Sequence, residues 1–266
     1  MTVLAPTRTA STVTTIQTIA VRTVFKILRT PQIVGIAIIQ SVLFLLMFRY
    51  VLGGAIGVQH VSYVQFLVPG FVASGILFTA GGSAVAVAED AASGLYDRFR
   101  SLPISDTAVL IGRAIADAAL LVLVGLVTLG VGFIVGFSLE GSVLNLLLAI
   151  ALLVLYALAV AGVFGWLGLI SGSAQAAQGL SILAVPFSFV SSAFVPVKSM
   201  PDVLRAFADW QPLTFMVNSW RGLLLGDAAK AGLSHSVEYY VIGSIIWAVG
   251  LGIVIAPLAM RAYRKR

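Results

Sequence analysis

The sequence predicts an all-α integral membrane protein with six transmembrane helices. Three observations predict it. Hydrophobic residues fill 60% of the 266 positions and charged residues only 10%, against about a quarter charged in a soluble domain. Long apolar runs recur, each near or above the roughly 20 residues that a helix needs to cross a bilayer. Charge, glycine and proline gather in the short stretches between those runs. With a mean hydropathy of +1.07, the chain has too little polar surface to cover a water-soluble globule. One membrane domain over residues 1–266 accounts for the whole length.

The elements follow in order. Over residues 14–30, Arg22, Lys26 and Arg29 fall on one narrow stripe at 100° per residue, and Ile16, Ile19, Ala20, Val24, Ile27 and Leu28 fill the remainder. A helix with a basic edge and a broad apolar face lies in the membrane interface; an ordinary surface helix is the alternative. Pro31 breaks the chain before the first span. The spans are expected near 33–52, closed by Gly53 and Gly54, then 63–88 with Pro69 and Gly70 near its start, 107–137, 144–170, 180–197 with Pro186 inside it, and 241–259. Residues 198–226 predict two short outer helices folded back on the bundle. Met200 to Trp210 forms the first, Pro212 stops it, and Thr214 to Leu225 forms the second. A plain outer loop is the alternative.

Orientation rests on the Lys and Arg count of the connecting segments. With both termini inside, the inner segments hold eleven: Arg8, Arg22, Lys26, Arg29, Arg98, Arg100, Arg113, Arg261, Arg264, Lys265 and Arg266. The outer ones hold five: Arg49, Lys198, Arg205, Arg221 and Lys230. The first 32 residues lack the pattern of a signal peptide, so insertion is expected to rely on the first span.

Charge and composition exclude several classes. The net charge of +6 sits mainly at the two ends, which suits anchoring beside anionic membrane lipid rather than nucleic acid. The chain has no cysteine, and its two histidines, His60 and His235, sit far apart in connecting segments. No metal site is expected. Ser171, Ser173, Ser188 and Ser191 have no histidine or acidic partner within a span, which argues against an intramembrane enzyme. The sequence contains no G-x4-G-K-[ST] loop, so the chain is not expected to hydrolyse ATP.

The stretch between spans two and three is the informative one. It reads AEDAASGLYDRFRSLPISD and faces inward in this topology. Over residues 89–103, Leu95, Phe99 and Leu102 form an apolar stripe, while Asp97, Arg98 and Arg100 point elsewhere. Glu89 and Asp90 suit the positive end of a short helix, Pro103 ends it, and Ser105 or Asp106 caps the next one. A short amphipathic helix results, able to face the bundle with one side and a partner with the other. A solvated loop whose charges set topology is the alternative.

Two blocks of residues resemble a known family. The pattern E-x4-G-x3-R-F-R-x2-P is carried by Glu89, Gly94, Arg98, Phe99, Arg100 and Pro103, and Gly112-Arg113 opens the third span. Pro196, Met200, Pro201, Pro212, Leu213, Thr214 and Arg221 carry the second block. Together they resemble the membrane subunits of ABC-2 type exporters, most of all the daunorubicin/doxorubicin-resistance permeases. Ala92 and Ser93 stand where that family often has a basic residue.

The resemblance implies a permease subunit of an ATP-driven exporter that moves a hydrophobic or amphipathic drug or lipid out of the cytoplasm or inner leaflet. It implies a second permease subunit, identical or homologous, and two copies of a cytoplasmic P-loop ATPase carrying ATP and Mg, with no cofactor on this chain. Residues 89–103 would be the coupling helix. Its candidates are Glu89, Asp90, Gly94, Asp97, Arg98, Arg100 and Pro103, with Leu95 and Phe99 as packing anchors. The spans hold few charges: Arg49 near the outer end, and Arg113 with Asp117, four apart and able to pair. Phe44, Phe48, Phe71, Phe187 and Phe189 are the aromatic candidates for a cargo path. A secondary drug or lipid transporter without an ATPase is the rival, and it would need coupling-ion carboxylates at mid-membrane.

Overall fold

The computed structural model describes residues 11–53 and 61–265. Arg8, His60, Gly54, Arg266 and the first outer loop lie outside them. Among the described residues there are twelve α-helices and no strand.

Helix α1 (Thr12–Leu28) leads into α2 (Pro31–Met47), with Pro31 at the first helical position. A proline there loses nothing, since its missing N–H would have no helical acceptor. α2 continues as a π-helical turn, Phe48–Leu52. α3 (Tyr63–Ala92) follows, capped by a reciprocal pair between Ser62 and Gln65. Then come α4 (Leu95–Arg100), α5 (Asp106–Ile134) and α6 (Val143–Ser171). Among the described residues, five helices are long and apolar enough to cross a membrane: the stretch Val34–Val51, α3, α5, α6 and the last helix, α12 (Val237–Lys265).

α3 is the axis of the bundle. Its apolar window is 72% buried, against 11% for α12 and 17% for Val34–Val51. Small residues make this burial possible: Gly75, Ala80, Gly81 and Ala84 let α2, α6 and α7 close in on it, as small residues do in membrane helix contacts. The outer helices keep exposed Ile36, Ile39, Leu43, Ile242, Ile246 and Ile253, a surface suited to lipid.

The segment expected as a fifth continuous span is different. It forms α7 (Ala174–Ser181) and α8 (Ala184–Phe189), and then leaves helical structure at Val190. The reason is Pro186. It has no N–H to offer the Ile182 carbonyl four residues back, and its ring crowds that carbonyl. The chain therefore breaks at Ile182-Leu183, where tighter bonds run from Leu183 N–H to Leu180 and from Val185 N–H to Ile182. The backbone just beyond Val190, from Ser191 to Phe194, is buried against protein, a setting in which non-helical backbone is tolerated at depth.

The partner of that backbone is α10 (Pro212–Leu224), which follows α9 (Asp202–Trp210) and precedes α11 (Gly226–Gly232). Every residue of α10 from Leu213 to Leu224 is buried. Arg221, at its end, donates from Nε and Nη2 to the Phe66 carbonyl at 3.2 and 2.8 Å and from Nη2 to the Ala193 carbonyl at 3.3 Å. Its guanidinium also sits 3.7 Å from the Phe66 ring centre. Thr214 accepts the Ser192 N–H at 3.1 Å. Gly70 permits this docking: a Cβ there would stand 2.1 Å from the Ala193 carbonyl oxygen.

The stretch between α3 and α5 also departs from the expected helix over 89–103. α3 runs through Glu89 and Asp90 to Ala92, so these carboxylates belong to its last turn and not to the start of the short helix. Gly94, at φ 72°, reverses the chain; a side chain would be strained in that left-handed region. α4 is then only six residues long, and Leu102 lies beyond its end, 51% exposed. Ser105 precedes α5, and Asp106 opens it.

Candidate functional site

α4 is held by one face. Tyr96 is the buried residue of the helix, not the expected Leu95 or Leu102. Its ring meets Tyr263 of α12 edge-on at 5.2 Å and neighbours Phe99 at 6.5 Å. Arg22 of α1 lies 5.5 Å over Phe99, and Arg100 lies 5.7 Å over Tyr263. Around them a separate apolar cluster joins Ile19, Val87, Val109 and Leu169 to Tyr96 and Tyr263. One turn of helix is thus keyed to the ends of α1, α3, α5, α6 and α12. Burial pushes the Tyr96 phenol well above its usual range, so it stays neutral.

The opposite face of α4 is free. Asp97 and Arg98 are exposed, as are Glu89 before the helix and Pro103 after it. Asp97 is paired with Arg100 at 2.6 Å. Arg98 has no ion pair among the described residues. Leu95 and Phe99 are half-buried.

Beneath α4 lies an ion network. Asp90 of α3 accepts from Lys26 of α1 at 2.8 Å and from Arg113 of α5. Arg113 also pairs with Asp117 at 2.9 Å, the expected contact one turn apart. Asp90, counted among the contact candidates, is therefore turned inward and occupied. Asp90, Arg113 and Asp117 are largely buried and need their partners, because an uncompensated buried ion costs several kcal/mol, about 3 to 5; Lys26 is more than half exposed. The network links α1, α3 and α5. At the rim, Arg264 of α12 reaches Asp106 at 3.4 Å.

A second feature is a cavity of 590 Å³ between α2, α3, α7 and α8. Phe44, Phe48, Phe71 and Phe189 stand on its wall, joined by Phe78 and Phe194, which the sequence reading did not single out. Phe48, Phe71 and Phe194 touch one another with ring centres 4.9 to 5.3 Å apart. Phe187 is elsewhere, packed edge-on against Phe207 of α9 at 6.0 Å. At its other end the cavity reaches Lys26, Arg113 and Asp117. It joins an aromatic region to the ion network below α4. Arg49, in the π-helical turn, lies 5.7 Å from the Tyr50 ring. Its Nε is buried without a hydrogen-bond partner.

A family model described as ABC-2 type transporter matches residues 14–225. The daunorubicin resistance ABC transporter permease protein DrrB1 of Streptomyces coeruleorubidus is 29% identical over 231 residues, covering 86% of this chain and 78% of that one. The probable doxorubicin resistance ABC transporter permease protein DrrC of Mycobacterium tuberculosis is 28% identical over 233 residues, covering 86% of this chain and 80% of its own.

Proposed function

Because this chain belongs to the ABC-2 type transporter family, we propose that it is the membrane-spanning subunit of an ATP-driven exporter of a hydrophobic or amphipathic drug or lipid. The observation that carries the reading is α4: its aromatic face is locked into the bundle, and its charged face is open. Such an element passes force from an outside partner to the long helices. That partner is a P-loop ATPase in two copies on the cytoplasmic side. A second permease subunit completes the pathway.

In this reading the chain makes six passes, the fifth along α7, α8 and the irregular stretch after Val190. Both termini lie on the cytoplasmic side of the cell membrane with α4. α9 to α11 lie on the outer side. ATP binding favours one arrangement of the ATPase pair, and only a contact difference at α4 transmits that preference. Arg98 and Asp97 supply the polar contact. Tyr96 and Phe99 carry the movement to α12 and α1, and the ion network carries it to α3 and α5. The aromatic cavity holds cargo by ring contacts, with the charges at its inner end available to a polar group of an amphipathic molecule.

A secondary transporter is less well supported. The two buried carboxylates of the long helices, Asp90 and Asp117, are both occupied by cations, which leaves neither free for a coupling ion.

Co-reconstitution with a candidate P-loop ATPase partner tests the proposal. Arg98→Glu reverses an exposed charge without touching the packed face. Cargo-stimulated ATPase activity is expected to fall about tenfold, the size of effect of an anchor residue at an interface. Phe99→Ala is expected to do the same by loosening the lever. Full stimulation in both variants, with assembly intact, removes the lever role.

A further inference from the structure

We infer that the groove between α1 and α4 is a binding site for the phosphate headgroup of an anionic phospholipid. The groove encloses 500 Å³ and is bordered by Arg22, Lys26 and Arg29 of α1, by Arg113, and by Asp90 as its only carboxylate. Lys26 and Arg113 are balanced by Asp90 and Asp117. Arg22 and Arg29 have no carboxylate partner among the described residues. The groove therefore carries two uncompensated guanidinium charges.

Their geometry suits one phosphate. Seven residues apart, the two arginines lie on the same helix face, about 10 Å apart along the axis. Both side chains are long enough to converge. The Arg22 guanidinium carbon lies 5.5 Å over the Phe99 ring, and Arg22 has no carboxylate among the described residues to occupy its N–H donors. Those donors match phosphate oxygens in pairs.

The source is a lipid because of what adjoins the groove. Phe25 and Phe99 line it, and the same turns of α1 carry exposed Val21 and Leu28. A soluble anion would gain nothing from that apolar border. A phospholipid lays its acyl chains along it while its headgroup enters between the helices. The same headgroup then touches both α1 and the side of α4 that holds Phe99. The site depends on the membrane placement of α1 and not on an ATPase partner, so it is measurable on the purified chain alone.

The experiment is native mass spectrometry of the full chain in neutral detergent, titrated with phosphatidylglycerol, phosphatidylcholine or inorganic phosphate. Phosphatidylglycerol is expected to form a saturable single adduct, with phosphatidylcholine and free phosphate at least about tenfold weaker. In R22Q/R29Q its affinity is expected to fall about 25-fold, at roughly fivefold per basic side chain. R261Q/K265Q removes the same charge from exposed positions outside the groove and is expected to change affinity less than about twofold. If the double variant in the groove fails to fold, Arg29→Gln alone, exposed and unpaired, is expected to cost about fivefold. The site is overturned by equal loss in both double variants, by unchanged affinity in the groove variants, by equal binding of phosphatidylcholine, or by free phosphate binding as tightly as the lipid.

Discussion

Asp90→Ala is expected to destabilise the chain by about 3 kcal/mol and to loosen the C-terminal end of α1, where Lys26 loses its partner. Asp90 is 7% exposed and takes a cation from each of two other helices. Removing it leaves Arg113 buried with one carboxylate in place of two, and frees Lys26. Breaking a buried ion pair from one side costs about 3 to 5 kcal/mol. The lower figure applies here because Arg113 keeps Asp117 at 2.9 Å. Asp97→Ala is the matched control. Its pair with Arg100 is on the surface, with the Asp97 side chain 70% exposed, and such pairs contribute about 0 to 1 kcal/mol. Thermal unfolding of the purified chain, with protease access to the α1–α2 junction as a second readout, separates the two. Equal behaviour of the two variants would show that the network does not tie the helices.

Gly70→Ala is expected to have an effect of similar size at the other end of the bundle. The added methyl would stand 2.1 Å from the Ala193 oxygen and 2.8 Å from its carbonyl carbon. Both are backbone atoms, which no rotamer change can clear. Overpacking of this kind costs about 1 to 3 kcal/mol. It also moves the Ala193 carbonyl away from the buried Arg221 guanidinium, so the upper figure applies. Gly82→Ala, on the same helix with nothing within 4 Å of the new atom, is expected to be neutral or stabilising by up to about 1 kcal/mol, because alanine is the better helix former. Melting temperatures of the two variants check this. A Gly70→Ala protein as stable as Gly82→Ala would mean that the non-helical stretch after Val190 is not docked on α3.

What could be read from the sequence is what local chemistry decides. The amphipathic first helix over 14–30 is observed at Thr12–Leu28, because its basic stripe and apolar face are set by residues within one element. The long helices follow from apolar run length alone. The Arg113–Asp117 pair follows from a spacing of four. Pro212 marked a boundary, and the structure uses it to start α10 as well as to end α9.

The rest depends on distance in sequence. Lys26 and Asp90 meet across 64 residues, and Arg221 meets Phe66 across 155. No periodicity within one helix signals either contact. The anchor of α4 was misplaced for a local reason. A stripe through Leu95, Phe99 and Leu102 assumed a helix longer than the six residues that form between Gly94 and Ser101. In the shorter helix Tyr96 and Phe99, three apart, share the packed face. Phe187 left the expected aromatic path because Pro186 reshapes the backbone beside it, which turns that ring to α9.

An ATP-hydrolysing partner that acts on this chain through the open face of α4 must come within cross-linking distance of Arg98. The chain has no cysteine, so single cysteines introduced at Arg98 and at Val203, exposed on α9, can be compared directly by cross-linking in membranes that contain the proposed ATPase partner. Arg98→Cys is expected to cross-link to the ATPase, with a yield that changes when ATP is added, and Val203→Cys is expected to give none. No ATPase cross-link from Arg98→Cys, or its labelling by an impermeant thiol reagent from outside intact cells, would contradict the account.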